Sequence, residues 1–287
     1  MEYLITEPAS GIVRDPKRMV VIAPGFRDSM HTYLGRKAAA VANRTGFRVV
    51  TYDSPGTGTN ILTGAERKAV SADPVANAGR VGRSLARILE TEGAASAVMA
   101  GNSRGATETV TVAATETVPV ESVTTMDLVG LVAVTGAGGF WRYGSYQGLE
   151  RLRARWLQRL NPKDPDEPID TAGLPPMASQ MDEISTHIGL ACSDIPLRSL
   201  VYLATDMPDV TVNAVAAGYT FAAPNDYQQL LKTSLPALRA PGETPFEYNI
   251  EPGTWHSSFE DLSRFSGHVA ATVTMTDQYY AAQRGAI

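Results

Sequence analysis

Five short apolar runs, each closing on glycine or a small polar residue, set the strongest limit on what this chain can fold into. They are MVVIAPG (19–25), FRVVTYDSPG (47–56), AVMAGNS (97–103), DLVGLVAVTG (127–136) and SLVYLAT (199–205). Apolar, β-branched runs of this length without alternation suit strands buried on both faces, as in a parallel sheet. Stretches with helical spacing lie between them. One helix is predicted over 33–45, and another over 73–92, where Val81, Leu85, Ile88 and Leu89 fall on one stripe. Asp73-Pro74 fits its start, as an N-cap followed by a proline in the first turn. Strand–helix alternation implies right-handed βαβ units and a mostly parallel sheet with helices on both faces, the α/β class. With 287 residues, 44% of them hydrophobic and 19% charged, the chain can bury one large core, and residues 1–287 read as a single domain.

The alternation stops after Gly139. Residues 140–198 hold no good strand candidate, but two helical stripes: Leu149, Leu152, Trp156, Leu157 and Leu160, then Met177, Met181, Ile184 and Ile188. A Pro- and Asp-rich linker, NPKDPDEP (161–168), divides them. An insertion between two strands of one sheet reads as a helical lid. Trp156 and Met181 would then line a substrate pocket, although such stripes equally serve to pack on the core. After 199–205 come a short strand at 246–250 and a final helix from Glu260 onward.

Composition narrows the function. The net charge is −5 and Lys and Arg form no runs, so neither nucleic acid nor an anionic membrane surface is expected as a partner. The single cysteine, Cys192, allows no internal disulfide and no zinc cluster. Asp164, Asp166 and Glu167 read as a surface charge run rather than a metal site. No leader is read in the opening residues and no apolar run approaches the ~20 residues that span a bilayer. The expectation is a cytoplasmic protein that uses no metal or cofactor, with homo-oligomerisation left open.

Chemistry enters at AVMAGNSRGA (97–106). Gly101-x-Ser103-x-Gly105 follows a predicted strand and precedes a helical segment over 108–115, the context of a nucleophile elbow, in which the glycines let strand and helix approach closely. A solvated turn is the plain alternative, and the strand–turn–helix setting favours the elbow.

With these residues the chain resembles the α/β-hydrolase family over nearly its whole length. Ala23-Pro24-Gly25-Phe26 matches that family's oxyanion loop, and Asp53-Ser54-Pro55-Gly56-Thr57-Gly58 resembles its second strand-end loop. Proline has no N–H, so the resemblance assigns the oxyanion donors to the backbone N–H groups of Phe26 and Arg104. The family order of serine, acid, histidine leaves His256, in a loop between the strand at 246–250 and the last helix, as general base. His31 is the best substitute. The acid is expected after 199–205, at Asp209 with Val212 three places on, or alternatively at Asp206.

The resemblance implies a serine hydrolase that cleaves a small-molecule carboxylic ester through an acyl-enzyme. Thioester or carbon–carbon bond hydrolysis uses the same triad. Asn102 keeps the carbon–carbon option open and is a candidate substrate contact. A catalytically silent binding module is the rival from another class.

Overall fold

The computed structural model describes residues 1–26, 28–128, 178, 182–183, 193–219, 239–240 and 242–285. Among these residues seven strands form one sheet: β1 (Tyr3–Thr6), β2 (Arg18–Ile22), β3 (Arg48–Tyr52), β4 (Ser96–Asn102), β5 (Val120–Met126), β6 (Thr211–Tyr219) and β7 (Phe246–Trp255). The spatial order is β1-β3-β2-β4-β5-β6-β7. Among the described strands only β1 runs antiparallel to its neighbour; β2 to β7 are parallel. The helices described are α1 (Tyr33–Thr45), α2 (Gly64–Ala72), α3 (Pro74–Thr91), α4 (Arg104–Ala113), α5 (Ile195–Thr205) and α6 (Leu262–Gly285).

The period-2 geometry of the strands divides the core in two. Met19, Val21, Val50, Ala97 and Met99 point to one face, where Val81, Leu85 and Leu89 of α3, Val110 of α4 and Leu200 and Leu203 of α5 cover them. Val20, Ile22, Val49, Val98 and Ala100 point to the other, against Leu34, Ala38 and Val41 of α1 and Phe265, Val269 and Val273 of α6. All five residues of β2 are buried, which is why its run shows no alternation. Asp73 caps α3 through its carboxylate to the Ala76 N–H, with Pro74 in the first turn as expected.

One expectation is corrected. Residues 199–205 are helical, the C-terminal part of α5. Pro196, Ser199, Leu200, Leu203 and Ala204 are its buried positions, a 3.6-residue stripe where a strand would bury alternate residues or all of them. The strand that follows α4 is β5; of the strand expected at 127–136 only Asp127 and Leu128 fall among the described residues. β5 reads VESVTTM and β6 reads TVNAVAAGY, and their hydroxyl, amide and alanine content hid them from a search for aliphatic runs. Two of the polar groups are used internally: Thr124 donates to Thr272 Oγ1 at 2.7 Å and Asn213 donates to the same atom at 3.1 Å. Most of 140–198, including Trp156 and Met181, lies outside the described residues, and 195–198 belong to α5.

Candidate active site

The parallel strands deliver their carboxyl ends to one edge of the sheet, and the candidate site is built there. β4 ends at Asn102 and α4 begins at Arg104, so the whole change of direction falls on Ser103. Ser103 has φ 55° and ψ −124°, a positive-φ conformation that side chains rarely adopt. Its N–H donates to the Met126 carbonyl at 2.9 Å, and its own carbonyl accepts the Ala106 N–H at 3.1 Å. The flanking glycines are required by proximity. A Cβ on Gly101 would lie 2.3 Å from the Gly105 carbonyl carbon, and one on Gly105 would lie 2.5 Å from the Ala23 oxygen.

His256 opens a 3-10 turn, His256–Glu260, directly after β7. Its Nε2 lies 2.8 Å from Ser103 Oγ, and its Nδ1 pairs with Asp127 Oδ2. A carboxylate can only accept from Nδ1–H, which leaves Nε2 to accept the serine hydroxyl proton. Asp127 is 4% exposed at the side chain, and its other oxygen, Oδ1, accepts the Ala217 N–H at 3.1 Å. Its own N–H donates to the Val215 carbonyl at 2.7 Å, so β6 grips the residue at both ends. Ser103, His256 and Asp127 thus form one hydrogen-bonded chain.

The structure brings neither Asp209, expected as the acid, nor its alternative Asp206 to His256; the carboxylate that pairs with the imidazole is Asp127. The register explains why. Asn102 pairs with Met126 in the parallel β4–β5 ladder, so the residue after β5 arrives beside the residue after β4. Asp209 instead precedes β6, whose first residue, Thr211, pairs with Ser122 near the start of the ladder. Thr211 is therefore about 15 Å from the Met126 end, along four or five strand residues, and Asp209 lies before it. The carbonyl of Asp209 accepts the Tyr280 hydroxyl at 2.8 Å; Asp206 closes α5, its N–H on the Tyr202 carbonyl and its carboxylate on the Thr205 hydroxyl. A sequence signal for Asp127 did exist: it is the acid directly after the β-branched run of β5. His31, the substitute base, is exposed just before α1.

The loop 23–26 passes against the elbow. Ala23 donates to the Ala100 carbonyl at 2.9 Å, and a Cβ on Gly25 would lie 3.7 Å from the Asn102 oxygen. Arg104 is the first residue of α4, where a backbone N–H has no acceptor within the helix. Its side chain is buried, with Nη2 3.1 Å from Ser54 Oγ and 3.5 Å from Glu108, which in turn accepts the Tyr52 hydroxyl at 2.8 Å. Burial, then Glu108, pushes the Tyr52 phenol well above its ordinary range. Asn102, expected as a substrate contact, is 1% exposed, and both ends of its amide are engaged, by Lys37 and by Glu260.

The Asp53–Gly58 loop is a brace. Asp53 accepts from Met30 N–H (3.0 Å), Thr59 N–H (2.7 Å), Thr59 Oγ1 (3.0 Å) and Ser29 Oγ (3.2 Å). Gly58, with φ 50°, leaves room for that carboxylate, which a Cβ would meet at 2.0 Å. Next to this loop lie the described residues of 178–183: Ala178 donates to the Gly58 carbonyl and Asp182 pairs with Arg67 at 3.2 Å. Among the described residues no cluster of three or more His, Cys, Asp or Glu could hold a metal, and no helix is long and apolar enough to cross a membrane.

No protein-family model matches the chain, and no curated protein matches it by sequence. Solved structures do. A monoacylglycerol lipase of Paleococcus ferrophilus superposes with a TM-score of 0.54 at 16% identity, covering 96% of this chain and 99% of that one. MenH from S. aureus gives 0.57 at 15% identity, covering 96% and 98%. A structure from work on carboxylesterases of the thaumarchaeon Nitrososphaera gargenis gives 0.56 at 13%, covering 96% and 95%. At such identities the likeness speaks for the fold, and the fold is that of the α/β hydrolases.

Proposed function

We propose that this chain of α/β-hydrolase fold is a serine hydrolase that cleaves a carboxylic ester through an acyl-enzyme intermediate. The observation that carries the reading is the Asp127–His256–Ser103 chain at a strained elbow. Neutral His256 takes the Ser103 proton as Oγ attacks the acyl carbonyl. The proton then passes from Nε2 to the leaving alcohol as the carbon–oxygen bond breaks. Asp127 holds the Nδ1–H tautomer and stabilises the imidazolium. The N–H groups of Arg104 and Phe26 are assigned to the oxyanion, each worth about 3 kcal/mol of barrier by the usual cost of deleting such a donor. Water, deprotonated by the same histidine, releases the acid.

Ester cleavage is favoured over carbon–carbon hydrolysis by Asn102, whose amide is engaged behind the site rather than at the substrate. The lid at 140–198, with Trp156 and Met181 toward the acyl chain, belongs to the same proposal, as does a small ester or thioester as substrate. The test is a fluorophosphonate probe together with a series of p-nitrophenyl esters and acyl thioesters of rising chain length. A single adduct on Ser103 and ester turnover that rises with pH through the imidazole titration are expected, because only the neutral ring accepts the proton. An adduct elsewhere, or none, would sink the assignment.

A further inference from the structure

Behind Ser103 one buried ammonium joins three separate parts of the site. Lys37, on α1, is fully buried, and its Nζ lies 3.1 Å from Asp28 Oδ2, 2.8 Å from Asn102 Oδ1 and 2.8 Å from Glu260 Oε2. Those three acceptors match the three protons of an ammonium. Each belongs to a different element. Asp28 Oδ2 also accepts the Gly25 N–H at 3.1 Å, one residue before Phe26. Asn102 immediately precedes Ser103, and its Nδ2 donates to Glu260 Oε1 at 2.7 Å. Glu260 closes the 3-10 turn that His256 opens. The Tyr33 and Phe265 rings flank the ammonium at 4.9 and 5.2 Å.

A buried lysine is a costly way to fill space, because its desolvation is offset only by close partners, and an apolar residue of similar volume often packs at least as well. Burial alone would lower the Lys37 pKa, but Asp28 and Glu260 outweigh it and hold the group charged, above its ordinary value. Burial likewise raises Glu260, yet Lys37, the Asn102 hydrogen bond and the field of His256 bring it below its usual value. Among the described residues, Asp127, from the end of β5, and Glu260, from its own turn, are carboxylates that act on His256. Lys37 faces Asp28 and Glu260.

We infer that Lys37 is a positioning residue, which locks the oxyanion loop, the elbow and the histidine turn into one register and balances the Glu260 carboxylate beside His256. The inference rests on the reading of Ser103 and His256 as nucleophile and base. A lysine that only completed the core would matter for stability and leave the proton transfer untouched.

The experiment compares Lys37→Met, Lys37→Arg and Glu260→Gln with the wild type, by fluorophosphonate labelling rate and by pH–rate profiles on a p-nitrophenyl ester. Lys37→Met should lose about 10²-fold in kcat and in labelling rate, with KM within about threefold, since misplacement of a reacting group by about 1 Å costs that much. Lys37→Arg should recover part of it by keeping the charge. The acid limb should move in opposite directions, up in Lys37→Met and down in Glu260→Gln, each by on the order of half a pH unit for one charge acting through a high effective dielectric. A folded Lys37→Met with near-normal kcat, or limbs that stay put or move together, overturns the proposal. If Lys37→Met does not fold, Glu260→Gln decides it: a shifted limb supports the proposal and an unmoved one overturns it. A wild type that fails to label at Ser103 overturns the hydrolase reading and this inference together; a labelling wild type with an unaffected Lys37→Met overturns this inference alone.

Discussion

Ser103 holds its position against its own backbone preference. Positive φ at a residue with a Cβ costs on the order of 1–3 kcal/mol, while glycine there loses roughly 0.5–1 kcal/mol in chain entropy. Ser103→Gly is therefore expected to raise unfolding stability by about 1 kcal/mol while abolishing turnover, measurable by urea titration beside an ester assay. A lower midpoint would show that the elbow is unstrained. Asp127 also has positive φ, 46°, a conformation that aspartate tolerates better than most residues. Asp127→Asn keeps the shape but offers the wrong hydrogen-bond pattern to His256, and a loss of ~10⁴ in kcat is expected. Asp209→Asn should change kcat less than tenfold. The opposite ranking in steady-state kinetics would return the acid to the α5–β6 turn.

Between elements, a few side chains replace missing ladder contacts. Arg239 ties the end of α5 and the turn into β6 to the segment before β7. Its Nη2 donates to the carbonyls of Leu203 (2.6 Å) and Met207 (3.0 Å), and its Nη1 to those of Val210 (2.7 Å) and Thr244 (2.6 Å). A planar fork meets this spread of acceptors in a way that a lysine cannot. Arg239→Ala removes these donors at once, and a loss of about 2–3 kcal/mol is expected, with Arg239→Lys recovering less than half. Denaturant unfolding of both variants checks this, and equal stabilities would reject the account. The same region shows where sequence reading failed. SLVYLAT is too short for periodicity to separate a strand from a helix, and only its packing against α4 and the sheet decides. By contrast, α1 was legible to the residue, since its alanine-rich stripe ends at Gly46 in the left-handed conformation, with φ 76°.

For the whole molecule, the buried Lys37 network links stability to pH. Glu260 is held below its ordinary value of 4.5, so the unfolded chain binds more protons there, and the stability it contributes, present above that value, is lost as pH falls through the folded value. Asp28, raised chiefly by burial, acts in the opposite sense, so the comparison must isolate one group. Glu260→Gln should flatten the decline in unfolding free energy between about pH 5 and pH 3; an unchanged slope in urea titrations across that window would show that the carboxylate is not held by Lys37. The sequence by itself determined the class of fold, the turn at Ser103 and the choice of His256 as candidate base. Each depends on local chemistry: apolar runs that must be buried on two faces, glycines around one serine, and a histidine placed between the last strand and the last helix. Only the tertiary structure set Asp127 rather than Asp209 beside His256, engaged the Asn102 amide behind the site and placed Lys37. These follow from which strand ends lie side by side, and parallel register joins residues such as Ser103, Asp127 and His256 whose separation along the chain carries no trace of the contact.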